Sequence, residues 1–182
     1  MKQTALFLSA LLSLSACQTD KNPSPNNDKD SQGSDIRIAW DYSSMQQIAE
    51  RGGYPRLQRM QDNSLIAIYE TRTGDIEYKR SYDNGMSWSE PVMAFSRFTH
   101  KGNNGESTLV NMANAEIIQL SNGDIIIGAN YRPREAEIAP FSIAIRRSTD
   151  NGTTWLPAQV LYNAAPRFHD GCWEPSFLQL PD

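Results

Sequence analysis

The sequence predicts an all-β chain folded as part of a β-propeller, on three observations. A strand-to-turn segment recurs every 60 residues, an eight-residue turn motif occurs twice at the same place in that repeat, and no helical periodicity lies between the copies. Units of about four short strands in such a repeat read as blades. A solenoid or a sandwich is the competing architecture, but a sandwich does not usually repeat a fixed motif at one strand-to-strand turn.

Residues 1–17 form a targeting segment. Lys2 supplies a positive start, residues 5–14 an apolar run, and Leu14-Ser15-Ala16-Cys17 a small-residue cleavage site ending in cysteine. The apolar run is too short to span a bilayer. Its ending resembles a bacterial lipobox, which implies cleavage before Cys17, a lipid on its thiol, and anchorage to the membrane of a bacterial cell envelope, at the outer membrane or cell surface. An ordinary secretory signal with an incidental cysteine is the alternative. The polar spacer that follows favours the lipoprotein: residues 18–34 carry Asn, Asp, Lys, Ser and Pro without an apolar side chain, and read as a flexible tether. Residues 35–182 make up the partial propeller. Within it Cys172 is the only thiol, so no internal disulfide is expected and core packing is its role. Seventeen Lys and Arg stand against 21 Asp and Glu with no basic run, which argues against a nucleic-acid partner.

Three segments come into register at spacings of 60 and 60: Arg59-Met60-Gln61-Asp62, Gln119-Leu120-Ser121-Asn122 and Gln179-Leu180-Pro181-Asp182. Each ends a short apolar strand, marked by Leu57 and Met60, by Ile117, Ile118 and Leu120, and by Phe177, Leu178 and Leu180. A second strand follows in two copies, at 64–70 and 124–130, then a third at 76–81 and 142–148. The third strands run into Ser81-Tyr82-Asp83-Asn84-Gly85-Met86-Ser87-Trp88 and Ser148-Thr149-Asp150-Asn151-Gly152-Thr153-Thr154-Trp155, then into proline-containing segments at Pro91 and Pro157. These two motifs lie 67 residues apart, and a longer loop around 132–140 accounts for the excess.

Both motifs are Asp-boxes, and their residues suit a turn. Serine and aspartate bond turn amides, glycine takes a positive φ, and tryptophan packs beneath the hairpin. They are structural. An EF-hand is excluded because the alternating acidic ligands and the terminal glutamate are missing.

Over roughly residues 52–182 the sequence resembles the Asp-box superfamily of sialidases and exo-α-L-arabinanases. The resemblance implies a six-bladed, sialidase-like β-propeller that hydrolyses terminal sugars at the mouth of its channel, with a glycan substrate; no cofactor and no metal are expected from the residues. Six blades at this repeat length need about 360 residues, so two blades and the start of a third are expected here. By comparison with Asn122-Gly123, the chain stops inside a turn, which reads as a C-terminal truncation of a fragment inactive and poorly soluble alone.

The start of each blade's first strand lines the channel in such a propeller. The register makes Tyr54-Pro55-Arg56, Asn114-Ala115-Glu116 and Glu174-Pro175-Ser176 equivalent, so the polar and ionisable residues of these three sets converge on one axial site if the ring closes. Glu174 is the candidate catalytic acid: Trp173 could desolvate it and stack on a sugar, and Trp173-Glu174-Pro175 resembles the catalytic-glutamate segment of the arabinanases. A structural glutamate paired with arginine is the alternative. Arg56 resembles the substrate-carboxylate arginine of sialidases, but its proline precedes rather than follows it, and a one-residue shift on a strand turns a side chain to the other face; an ordinary ion pair is the alternative. Glu70 with Arg72, and Tyr131 with Arg132, end the second strands and resemble segments that border the pocket. His169 and Asp170 form an adjacent pair before Trp173. Glu116 carries less weight, and no metal-ligand pattern is apparent. The resemblance places the second carboxylate, or a tyrosine nucleophile with its glutamate, in later blades.

Two functions follow. One is an exo-acting glycoside hydrolase releasing terminal sugars from extracellular glycans, of sialidase or exo-arabinanase type. The other is a non-catalytic envelope lipoprotein that binds glycan or protein at the same channel mouth.

Overall fold

The computed structural model describes residues 39–181; the targeting segment with Cys17, the tether at 18–34, and Asp182 lie outside the described residues. The chain divides into two compact units, Met1–Gln46 and Gln47–Asp182. In the first, the described residues form one 3-10 turn, Tyr42–Ser44, capped by Asp41, whose carboxylate accepts from the Ser43 amide at 2.9 Å. No helix among the described residues is long and apolar enough to cross a membrane.

The second unit is all-β. Strands β1 (Gly52–Arg59), β2 (Leu65–Thr71), β3 (Ile76–Ser81) and β4 (Val92–Phe95) pair in chain order into one antiparallel sheet. Strands β5 (Phe98–Lys101), β6 (Ser107–Gln119), β7 (Ile125–Pro133), β8 (Ser142–Ser148) and β9 (Gln159–Asn163) form the next, again in chain order. The meanders β1–β4 and β6–β9 are the two expected blades. Strand β5 is an addition: β6 begins earlier than β1 does in its copy, and its first residues pair with β5 through a hairpin in which Gly105 takes φ 91°.

The second strand of the first blade is buried on both sides over residues 65–69, while β3 and β8 alternate buried and half-exposed positions. Ile66, Ile68, Ile76 and Tyr78 of the first blade meet Met112, Ile117, Ile125 and Ile127 of the second in one continuous core, so the two sheets pack face to face. The longer segment expected between the second and third strands of the second blade lies at 134–141, where Ala136, Ala139 and Phe141 are buried and the Thr108 hydroxyl donates to Glu135. Cys172 packs on the small cluster of Ala136, Phe141 and Ala164.

The Asp-boxes close the β3–β4 and β8–β9 turns in the same way. Ser81 Oγ accepts from the Gly85 amide at 2.8 Å and Asp83 Oδ1 from the Ser87 amide at 2.8 Å; Ser148 with Gly152 and Asp150 with Thr154 repeat both distances. Gly85 and Gly152 take φ 91° and 84°. The second box also reaches the first blade, where Trp155 Nε1 donates to the Tyr78 hydroxyl at 3.2 Å, and that hydroxyl donates to the Gly152 carbonyl at 3.0 Å.

The 60-residue repeat has a physical counterpart at the β1–β2 and β6–β7 turns. Gln119 Oε1 accepts from the Gln61 amide at 2.7 Å, and Gln179 Oε1 from the Ser121 amide at 2.8 Å. Each blade's turn is thus tied to the next copy by one glutamine. The third copy differs from expectation in one respect: residues 173–181 are not in a strand. A first strand is defined by its ladder with a second, and the described residues include no second strand of that copy.

Candidate functional site

The three equivalent strand starts share an unusual backbone. Tyr54, Asn114 and Glu174 take φ 43°, 50° and 53°, the left-handed region that non-glycine residues rarely occupy. The other positive-φ residues without a glycine backbone are asparagines at turns: Asn63, Asn84 and Asn151. In the two complete blades the left-handed residue makes a bulge, since register is lost between Gly53 and Arg56 and between Ala113 and Glu116. Bulges re-aim side chains, and strained non-glycine backbone clusters at functional sites. The sequence marks these positions by spacing but not by conformation.

A polar side chain from the second strand reaches the segment at the next left-handed residue. Glu70 Oε1 accepts from the Asn114 amide at 2.5 Å. Asn130, 60 residues further on and fully buried, donates through Nδ2 to the Cys172 carbonyl at 2.7 Å and the Ser142 carbonyl at 3.1 Å. Burial holds the Cys172 thiol above its ordinary range, with the Asn130 contact acting in the opposite sense.

Beside these bulges a cleft of ≈ 380 Å³ opens at the ends of β2 and β7, and it brings Glu70, Arg72 and Arg132 together with Arg134, Phe141 and Phe168. None of Arg72, Arg132 and Arg134 has a carboxylate within ion-pair distance among the described residues. Arg132 also lies over the Trp173 ring, 5.1 Å from its centroid, and Trp173 packs on Phe141 and Phe168 at 4.8 and 5.2 Å. Cationic cleft and aromatic platform are therefore continuous. Arg134, Phe141, Phe168 and Asn130 escaped the sequence reading, although Asn130 is the repeat mate of Glu70 and could have been found from it.

The other candidates do not line the cleft. Arg56 pairs with Glu116, Nε to Oε2 at 3.3 Å, an ion pair of the kind the sequence offered as its alternative role. Tyr54 is exposed. Asn114 is 5 % exposed, and its Oδ1 is buried without a partner. Tyr131 meets Phe98 edge-on at 5.3 Å, and burial raises its pKa while Arg146 acts in the opposite sense. Asp170 is bound by Arg167 at 2.6 Å and approached by its neighbour His169 at 3.4 Å, contacts local to one turn. Glu174 is exposed, and the described residues do not enclose its carboxyl as the neighbouring tryptophan led us to expect, because Trp173 is engaged with Arg132 and the two phenylalanines. No group of three or more metal-ligating side chains occurs among the described residues.

No protein-family model matches the chain, and no curated protein matches it. Among solved structures it is similar to the Hadza microbial sialidase Hz136, at 19% identity and a TM-score of 0.48, over 62% of this chain and 26% of that one. It is also similar to a Penicillium chrysogenum α-L-arabinanase complexed with arabinobiose, at 21% identity and a TM-score of 0.44, over 65% of this chain and 33% of that one. A protein of unknown function from Dyadobacter fermentans DSM 18053 matches at 13% identity and a TM-score of 0.26, over 62% of this chain and 51% of that one. The alignments thus span about a quarter to a half of these relatives' own lengths.

Proposed function

We propose that this chain supplies the first blades of an exo-acting, sialidase-like glycoside hydrolase that releases terminal sugars from extracellular glycans. The observation that carries the reading is the position of Arg132. It lines the cleft with Arg72 and Arg134 and also lies over Trp173, the residue next to the candidate acid Glu174. Glu174 would protonate the departing glycosidic oxygen, and the exposed part of the Trp173 ring would stack on the sugar. A second carboxylate, or a tyrosine with its glutamate, completes such a reaction from elsewhere in the protein. Three guanidinium groups without carboxylate partners favour an acidic terminal sugar, as in a sialoside, over the neutral arabinofuranoside. The envelope location rests on Lys2, the apolar run and Cys17, with lipid on that thiol tethering the propeller through residues 18–34.

One observation favours a second reading, a glycan-binding propeller without turnover. Two of the carboxylates nearest the strand starts are already engaged, Glu70 by the Asn114 amide and Glu116 by Arg56. The full-length protein, offered a fluorogenic sialoside and 4-nitrophenyl arabinofuranoside, separates the two. We expect sialoside cleavage that Glu174→Gln abolishes while glycan binding persists. Cleavage of neither substrate, or full activity in Glu174→Gln, would overturn the hydrolase.

A further inference from the structure

We propose that Asn130 is the positioning residue for Glu174, a role that rests on the reading of Glu174 as the acid. Glu70 and Asn130 occupy one place in successive blades. Each sits across the ladder from the residue just before its own blade's left-handed position, Gly53 for Glu70 and Ala113 for Asn130. Each sends its side chain out of that blade to the next strand start, Glu70 to the Asn114 amide and Asn130 to the Cys172 carbonyl. The fold therefore uses a second-strand side chain twice to hold the segment at the following left-handed residue, and on the second occasion that residue is Glu174.

Glu174 lies between two fixed points. Upstream, Asn130 Nδ2 holds the Cys172 carbonyl at 2.7 Å. Downstream, Pro175 and Phe177 close over Gly128, where an added Cβ would stand 2.6 Å from Phe177 Cζ. A glutamate does not choose φ 53° by itself, so the conformation is imposed from both sides. The carboxamide suits the upstream point because its two N–H donors meet two carbonyl oxygens, those of Cys172 and Ser142, in a fully buried position. An ionised carboxylate of the same shape offers no donor there and faces both carbonyls with like partial charge.

Asn130→Asp in the full-length protein tests this with two readouts, steady-state kinetics and the rate of iodoacetamide alkylation at Cys172 followed by peptide mass. Misplacing a reacting group by about 1 Å can cost about 100-fold, so we expect kcat to fall by about 10- to 100-fold with KM nearly unchanged, and Cys172 to alkylate several-fold faster than in the parent. As pH is lowered, protonation of the new carboxyl restores one donor, so both ratios to the parent should move back toward one. Gln179→Ala, which removes a tie at the far end of the same segment, should leave kcat as in the parent. The positioning role is overturned if Asn130→Asp matches the parent in both readouts, or if Gln179→Ala lowers kcat as far. Should the parent cleave no glycoside, the hydrolase reading fails on its own, and the alkylation ratio still decides whether Asn130 holds this strand start.

Discussion

Arg56 and Glu116, 60 residues apart and at the same point of successive blades, form an ion pair at 3.3 Å. The pair joins the first strands of two blades. It leaves Arg56 side chain 38% exposed, so water screens it, and pairs of this kind are worth about 0–1 kcal/mol. A double-mutant cycle of Arg56→Ala and Glu116→Ala in denaturant should give a coupling of about 0.5 kcal/mol that shrinks in high salt. If Arg56→Ala instead left stability unchanged but abolished sialoside binding, Arg56 would have to be restored to the site.

The Asp-boxes predict an acid limit to stability. Bonds from the Ser87 and Thr154 hydroxyls and amides hold the Asp83 and Asp150 carboxyls at about 2, below the ordinary 3.8. Asp62 is held at about 2 by Ser64 and by Asn151 of the second box. A depressed folded-state value means the stabilisation is fully present above the unfolded value near 4 and is lost as pH falls toward 2. Thermal unfolding followed from pH 6 to pH 2 should therefore show a steep decline below about pH 4, and Asp83→Asn with Asp150→Asn should lower stability at pH 6 while flattening that decline. An unchanged slope in the double variant would remove the boxes from the account.

Much of this fold was legible because the repeat is enforced residue by residue. Ser, Asp, Gly and Trp have fixed roles in each box turn, and Gln119 and Gln179 tie successive copies, so spacing alone located the blades. Strand β5 was not visible: Phe98–Lys101 is short, and its pairing depends on the early start of β6. The site was only partly legible for a related reason. Spacing made the three sets that begin at Tyr54, Asn114 and Glu174 equivalent, but their left-handed backbone, the ladder shifts at the first two and the reach of Glu70 and Asn130 to the last two copies are tertiary facts. Likewise a lone arginine such as Arg134 gives no sequence sign that it will share a cleft with Arg72 and Arg132.

Tyr78 predicts how the second Asp-box contributes to the joint between blades. Its hydroxyl accepts from Trp155 Nε1 and donates to the Gly152 carbonyl, while its ring meets Trp155 edge-on at 5.9 Å. Tyr78→Phe keeps the ring contact but strands both polar partners. We expect a loss of about 1–3 kcal/mol and a shift in Trp155 fluorescence. A variant as stable as the parent would show that water replaces the hydroxyl there.

Gly128 predicts how tightly the third copy seats on the second blade. The residue is in β7, and no positive φ demands glycine there; what demands it is the Phe177 ring, 2.6 Å from any added Cβ, with the Pro175 Cβ at 3.5 Å. Phe177 and Pro175 flank Glu174 on its downstream side, so a methyl at 128 pushes outward on the segment that carries the candidate acid. Gly128→Ala should destabilise by about 1–3 kcal/mol through overpacking and expose Cys172 to alkylation. Adding Phe177→Leu removes the ring atoms nearest the new methyl and should recover part of the loss, giving a favourable coupling in the double variant. Additive losses would mean that Phe177 does not rest on Gly128, and the downstream point that fixes Glu174 would have to lie elsewhere.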